Sequence, residues 1–213
     1  MRPSPEVLEK LRSEVSGLLT KDEEIICAGQ IGAAGLSMIL EARREELQRR
    51  FPASFLAESL HETKGLSKIC TDKAFVSGAD AVICLGEGGF LAGLWKIAEA
   101  SGTGLRIDMR RVPVDQHTIE ICEFLELHPY MLYSEGAVII GTKNGQGLTE
   151  RFLAEGIPAA VIGHTTKDND RLLKSGSVVS CLNRPAPDEL YKICPDFRPL
   201  PAETGNKTAE TTE

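Results

Sequence analysis

Residues 84–95 read CLGEGGFLAGLW and place three glycines within four positions, directly before an apolar stretch with helical spacing. A glycine-rich turn between a strand and a helix can bind phosphate, because its backbone N–H groups reach the anion and the helix N-terminus adds partial positive charge. The known fingerprints do not match: no Gly-Lys-Ser or Gly-Lys-Thr occurs, and Leu91 stands where GxGxxG requires its third glycine. Glu87 would also repel a phosphate group. From these residues alone, a structural turn is the better interpretation of the glycines.

The cysteines and histidines point to no catalytic or metal site. Six cysteines are scattered without a CxxC pair, which argues against structural zinc. Most of them stand in apolar strings, where cysteine behaves as a small hydrophobic residue, so reduced and buried thiols are predicted. His128 and His164 lack a neighbouring carboxylate in the sequence, while His61 and His117 lie among charged residues on predicted helices. All four histidines are therefore predicted at the surface or in capping positions.

Composition narrows the classes of partner. The net charge of −7 argues against binding of nucleic acid or of anionic lipid, which requires concentrated Lys and Arg. The densest basic patch, at residues 43–50, is interleaved with glutamates and is typical of a solvated helix face with ion pairs. No signal peptide and no apolar run of about 20 residues is apparent, so we expect a cytoplasmic protein without membrane contact.

The hydrophobic pattern alternates between strands and helices. Helices are predicted at residues 5–19, 36–47, 54–60, 66–75, 91–97, 119–125 and 147–155, with one helical turn at 188–192. Strands are predicted at residues 24–28, 80–85, 105–108, 136–141 and 159–163, with short extended pieces near 172 and 178–179. Trp95 is predicted in the core, and residues 199–213 lack apolar periodicity. The alternation predicts one domain of α/β layered architecture with a covered sheet.

The ordered series of motifs resembles a known family. The segments are EIICAGQIGAAGLSMILEARREELQRRF, GEGGFLAGLWKIAEASGTGLRIDMRRVPV, TIEICEFLELHPYMLYSEGAVIIG and EGIPAAVIGHTT. Together they are similar to the C-terminal domain of the aminoimidazole ribonucleotide (AIR) synthetase superfamily. Its members include thiamine-monophosphate kinase, selenophosphate synthetase and the hydrogenase expression/formation (maturation) proteins, and the likeness is strongest to the last group. The resemblance covers most of residues 22–192.

The resemblance implies an organisation and a set of ligands. The fold would be α+β (α/β layered), with a mixed sheet flanked by helices in three layers. Residues 1–21 would be an N-terminal helix extension, residues 22–195 the AIR synthase C-terminal-like domain, and residues 196–213 a disordered acidic tail. Full-length family members use an N-terminal lobe to hold magnesium and much of the ATP, so both ligands are implied here by resemblance only. A homodimer, or a partner protein that supplies such a lobe, would then complete the site.

The family pattern D-x-T-x-G-G before the helix is only partly kept. Cys84 and Gly86 replace its Asp and Thr, whereas Glu87 and the two glycines match. The hydrogenase-maturation protein carries its acceptor cysteine at the extreme C-terminus, but Cys194 lies nineteen residues before the end and is assigned no role. The resemblance implies no catalytic residue and a possible phosphate or nucleotide site at Gly29, Gly32, Glu87, Gly88, Gly89, Ser134 and Gly136.

Three hypotheses follow. The first is a domain that is non-catalytic alone and binds a nucleotide, another phosphorylated ligand, or a partner that carries the N-terminal ATP-binding lobe. The second is a homo-oligomeric interaction protein without a small-molecule site. The third is an ATP-dependent enzyme that has rebuilt a metal site from Glu87 and Asp108. The sequence leaves open whether the chain is an enzyme.

Overall fold

A mixed sheet of eight strands organises the molecule in the computed structural model, which describes residues 3–61 and 77–199. The strands are β1 Ser16–Gly17, β2 Glu24–Ala28, β3 Ala81–Cys84, β4 Gly104–Asp108, β5 Val138–Thr142, β6 Ala159–Thr166, β7 Arg171–Ser175 and β8 Val178–Cys181. The α-helices within the described ranges are α1 Pro5–Ser13, α2 Ala33–Ala42, α3 Arg44–Arg50, α4 Ala53–His61, α5 Gly89–Ser101, α6 Gln116–Phe124 and α7 Gly145–Ala154. Short 3-10 turns lie at Met109–Arg111, Pro129–Met131 and Glu189–Lys192.

The strands follow the order β1-β3-β5-β2-β6-β4-β7-β8. Neighbouring strands pair antiparallel except β4 and β7, which are parallel, so the sheet is mixed as predicted. In the centre, Cys27 of β2 lies opposite Ile139 of β5 and Ala160 of β6. β6 is three residues longer than predicted, because its second half continues into the pairing with β4.

Helices cover both faces of the sheet. Side chains alternate between the faces of a strand, so Ile25 and Ile26 point to opposite sides. Ile25 packs in one apolar cluster with residues of α1 and α5, whereas Ile26 packs with Leu148 and Phe152 of α7. Trp95 lies half-buried against the first cluster. The predicted fold class, a mixed sheet between layers of helices, is thereby confirmed.

A third apolar cluster joins the helices beside the sheet to the later loops. It contains buried residues of α2, α3 and α6, together with Leu132, Tyr133, Leu190 and Phe197. This cluster places Leu132 and Tyr133 against the glycine-rich turn before α5. It connects the C-terminal part of the described chain to the middle of the domain.

Two predicted helices are divided or shortened. The helix expected over residues 5–19 ends at Ser13, and the chain then forms β1, which pairs with β3. Gly17 permits this because its φ is +76°, and a Cβ there would lie 2.1 Å from the Asp80 carbonyl oxygen. The helix expected over 36–47 breaks at Arg43, whose backbone leaves the helical region. The predicted helix face with i,i+4 ion pairs is present on α3, where Arg49 pairs with Glu45.

The cysteines follow the prediction only in part. Cys27 and Cys122 are free and fully buried, and burial raises the pKa of the Cys122 thiol to about 12. Cys84 is disulfide-bonded and Cys181 is an exposed thiol, so the expectation of reduced, buried thiols is wrong for these two residues. Both cysteines lie in strands of four residues. The apolar sequence of such a strand does not show which side chains face solvent or which cysteine forms a disulfide.

His117 is also not solvated as predicted. Its ring is mostly buried, with Nδ1 2.6 Å from Asp115 Oδ1 and Nε2 3.6 Å from Glu58 Oε2. The ring also lies 4.5 Å from the Phe55 ring, centroid to centroid. His117 is therefore surrounded by the polar and aromatic side chains that contact it, not by water. Its contacts with Glu58 and Phe55 link α6 to α4.

Some predicted elements lie outside the described residues. These are the helix at 66–75, the side chain of His61, and residues 200–213 of the predicted tail. Phe197 is described and packs against Tyr133, with ring centroids 4.8 Å apart. In residues 3–61 and 77–199, no helix has the length and apolar character that a membrane span requires.

Candidate functional site

The glycine turn, residues 86–89, connects β3 to α5 as the sequence predicts. Gly88 and Gly89 have φ values of +79° and +63°, in the region that favours glycine. The Gly89 N–H donates to the Gly86 carbonyl oxygen at 3.0 Å and closes the turn. α5 begins directly afterwards, so the turn presents the positive end of a helix of thirteen residues.

The predicted site residues meet around one segment, residues 132–137, which we call the central loop. The Ser134 N–H donates to the Gly86 carbonyl oxygen at 3.2 Å, which joins the loop to the glycine turn. The Gly32 N–H donates to Ser134 Oγ at 2.8 Å. A Cβ on Gly29 would lie 2.9 Å from Ala137 Cα. The structure thus brings together residues that are more than a hundred positions apart in the chain.

Several of these glycines are required by packing. A Cβ on Gly89 would lie 2.5 Å from the Leu132 carbonyl oxygen, and a Cβ on Gly32 would lie 3.0 Å from Thr118 Cγ2. Gly136 has a φ of +91°, which disfavours other residues. These positions shape the central loop from inside. Among the predicted site residues, Glu87 is the one that is exposed to solvent.

Asp188 is the important residue that the sequence did not reveal. Its Oδ2 accepts from the Gly88 N–H at 2.7 Å, and its Oδ1 accepts from the N–H groups of Tyr133 at 3.1 Å and Leu190 at 2.8 Å. The residue is only 2% exposed. Burial raises the pKa of its carboxyl group and the nearby Glu87 adds to this, while the three backbone hydrogen bonds act in the opposite direction.

Residues 183–199, which we call the closing segment, cover the turn from outside. The Tyr191 hydroxyl donates to Glu87 Oε1 at 2.9 Å, and this bond raises the pKa of Tyr191. Glu189 Oε2 accepts from the His128 N–H at 3.3 Å. Phe197 packs on Tyr133, whose own hydroxyl donates to Glu135 Oε2 at 2.8 Å. The turn and the closing segment therefore form one polar site rimmed by aromatic rings.

Neither carboxylate of the third hypothesis lies in a metal-binding group. Glu87 bonds with Tyr191, whereas Asp108 accepts from the backbone and side chain of Arg110, which lowers the pKa of Asp108. Among residues 3–61 and 77–199, no group of three or more His, Cys, Asp or Glu side chains is placed to hold a metal ion. The donors at the glycine turn are backbone N–H groups, which suit an anion rather than a cation.

Ser134→Ala is expected to lower the free energy of unfolding by about 1–3 kcal/mol, because it leaves the buried Gly32 N–H without a partner. Denaturation in urea measures the loss. Ser13→Ala is the matched control, since the Ser13 hydroxyl is exposed and donates only to the Lys10 carbonyl oxygen. Equal stability of the two variants would show that the Ser134 hydrogen bond contributes nothing.

Comparison with known proteins identifies the family. Residues 18–174 match the family described as AIR synthase related protein, C-terminal domain. Carbamoyl dehydratase HypE of Rhizobium leguminosarum bv. viciae is 26% identical over 184 residues, which are 81% of this chain and 49% of that protein. Phosphoribosylformylglycinamidine synthase subunit PurL of Prochlorococcus marinus (strain MIT 9313) is 28% identical over 183 residues, 76% of this chain and 22% of PurL.

Solved structures agree on the fold. Escherichia coli HypE superposes with a TM-score of 0.62 at 23% identity and covers 83% of this chain and 54% of its own. Thiamine-monophosphate kinase from Stenotrophomonas maltophilia K279a superposes with a TM-score of 0.57 at 14% identity and covers 80% and 53%. The chain thus spans about half the length, or less, of the relatives it matches. Because the family match extends over residues 18–174, the chain belongs to the AIR synthase related proteins and carries their C-terminal domain.

Proposed function

We propose that this domain binds a phosphorylated ligand, preferably a nucleotide, at the glycine turn. In this proposal the domain is not catalytic alone and works beside a second lobe of AIR synthase type. The chemical step and any magnesium are assigned to that lobe, because the described part of this chain offers no group of side chains for a metal. The resemblance to HypE extends to this domain only, so we transfer no reaction from HypE.

One observation supports a phosphorylated compound as the class of ligand. The N–H groups of Gly88 and Tyr133 come from different segments, yet they converge on one carboxylate, that of Asp188. Two convergent backbone donors at the start of a long helix form an anion-binding arrangement, and they already hold an anion of the chain itself. Phosphate oxygens make the same hydrogen bonds as carboxylate oxygens and carry more charge.

The names of the relatives support the same ligand class. One HypE structure is a complex with ATP, and one ThiL structure is a complex with AMPPCP and TMP. Each of these ligands carries phosphate groups. PurL is named for a phosphoribosyl compound. A phosphate-binding element in the shared C-terminal domain would serve all three kinds of relative.

A protein partner is the other half of the proposal. The chain spans about half of the HypE sequences it matches, and HypE has been solved in complex with HypF. We therefore propose that the second lobe comes from another polypeptide segment or from a partner protein. The partner would approach the exposed carboxylate of Glu87 beside the glycine turn.

Titration of the chain with ATP by calorimetry, up to millimolar concentration, tests the ligand. Gly86→Asp adds a negative charge at the turn, and a Cβ at Gly86 has room, because its nearest neighbour, Tyr133 Cε2, is 3.8 Å away. We expect Gly86→Asp to weaken ATP binding by about tenfold, or about 1.4 kcal/mol. Gly86→Ala is the matched control and should bind like the wild type.

The outcomes separate the hypotheses. Equal affinity of all three proteins would place the ATP site elsewhere, and absence of binding would refute the ligand proposal. Sedimentation of the same samples measures the mass in solution. A dimeric mass without ATP binding would favour the alternative of a homo-oligomeric interaction protein.

A further inference from the structure

The closing segment places a negatively charged group on the donors that we assign to the ligand. Asp188 lies a hundred residues after Gly88 in the chain, yet its carboxylate accepts the Gly88 N–H at 2.7 Å. The same carboxylate takes the Tyr133 N–H, so both convergent donors are satisfied from inside the protein. A phosphate group cannot use these two N–H groups while Asp188 does.

Besides Asp188, polar and apolar contacts attach the segment. Glu189 Oε2 accepts the His128 N–H at 3.3 Å. Tyr191 reaches Glu87 through one exposed hydrogen bond. Lys192 pairs with Glu189 inside the segment itself and so adds nothing to its attachment. The apolar attachment comes from Leu190 and Phe197, which belong to the third cluster. At the turn itself, the segment is held by the Asp188 carboxylate and the Tyr191 hydroxyl.

The position of Asp188 also carries an electrostatic cost. The carboxylate is buried, and the exposed carboxylate of Glu87 lies nearby and repels it. The three N–H bonds offset this cost in the closed arrangement. An incoming phosphate that replaces Asp188 at two of these bonds would return that carboxylate to water.

We infer that the closing segment, residues 183–199, is a built-in competitor that holds the glycine turn through Asp188 until a phosphorylated ligand displaces it. This inference rests on the proposed function. Its consequence is quantitative: the apparent association constant for the ligand equals the intrinsic constant multiplied by the fraction of molecules in which the segment is open. Weakening the Asp188 contact should raise the apparent affinity without any new contact to the ligand.

Calorimetric titration with ATP as the probe tests the competition. Asp188→Asn keeps the size of the side chain and removes its charge, and it turns an amide N–H toward Gly88 in one of its two orientations. We expect this variant to bind ATP about tenfold more tightly than the wild type, since a larger fraction of molecules is open. Asp196→Asn is the matched control, because it makes the same chemical change in the same segment at an exposed side chain. It should bind like the wild type.

Hydrogen exchange gives a second readout and protects the test against a misfolded variant. In the wild type, ATP should accelerate exchange of the His128 amide, which lies outside the closing segment and donates to its Glu189 side chain. Tyr191→Phe removes the bond to Glu87 at an exposed position and should tighten ATP binding in the same direction as Asp188→Asn.

Two results would overturn the inference. If wild type, Asp188→Asn and Tyr191→Phe bind ATP equally and the His128 amide does not respond, the closing segment is not a competitor, while the proposed function stands. If none of the proteins binds ATP, the proposed function is wrong and the competition is refuted together with it.

Discussion

Gly89→Ala should be among the most damaging single substitutions in this domain, with a loss of about 3–5 kcal/mol in the free energy of unfolding. The backbone of Gly89 has a φ of +63°, which strains any residue with a side chain. The added Cβ would lie 2.5 Å from the Leu132 carbonyl oxygen and 3.0 Å from the Leu132 nitrogen. Both are backbone atoms of the central loop, so neither can move aside as a side-chain end would.

Gly102→Ala is the control that separates the two causes. Gly102 also has a positive φ, +66°, but an added Cβ there would have no neighbour within 4 Å. Its substitution should cost about 1 kcal/mol, the contribution of backbone strain alone. Urea denaturation of both variants gives the difference. Equal losses would mean that the close approach of Gly89 to the central loop is not present in solution.

Leu11→Ala should lower the free energy of unfolding by about 2–4 kcal/mol, as expected for a buried leucine whose removal leaves a cavity. Leu11 is 6% exposed and packs in the cluster that also contains Leu94 and Ile97 of α5. α1 is further attached by the Lys96–Glu14 ion pair at 2.8 Å. The measurement is the midpoint and slope of the urea transition.

Val7→Ala is the matched control on the same helix, because Val7 is 47% exposed and should cost less than about 0.5 kcal/mol. The pair of variants also tests the predicted boundary at residue 22. If residues 1–21 were an extension that packs only loosely on an independent domain, Leu11→Ala would be as harmless as Val7→Ala.

Much of the fold was predictable because its signals are local. The strand before Gly86, the helix after Gly89 and the fully buried β5 each follow from a local run of residues with the matching pattern. β1 was missed because it is two residues long, and Val15, Leu18 and Leu19 continue the helical spacing across it. The break at Arg43 also has no glycine or proline to mark it. Neither feature is marked in the local sequence, and the pairing of β1 with β3 is a contact between distant parts of the chain.

The candidate site likewise contains residues that the sequence predicts and one, Asp188, that it does not. The glycine turn was identified from its residues, and the other glycines and Ser134 came from the family resemblance. Asp188 could not be found by either route, because its contacts join residues that are a hundred positions apart. In the sequence, Asp188 before Glu189 and Leu190 predicts only a cap on a short helical turn, a role that it also performs. Its second role depends on the folded chain.

The order of the strands has a consequence for synthesis of the protein. β2 lies in the middle of the sheet, between β5 and β6, but it leaves the ribosome long before either of them. Its residues, Glu24–Ala28, carry a nearly continuous apolar run that has neither of its strand partners until residue 142, the end of β5, has been made. Contacts of such long range slow folding and leave an unpaired strand open to other chains. Yield from expression in cells should therefore depend on chaperones that hold the first third of the chain.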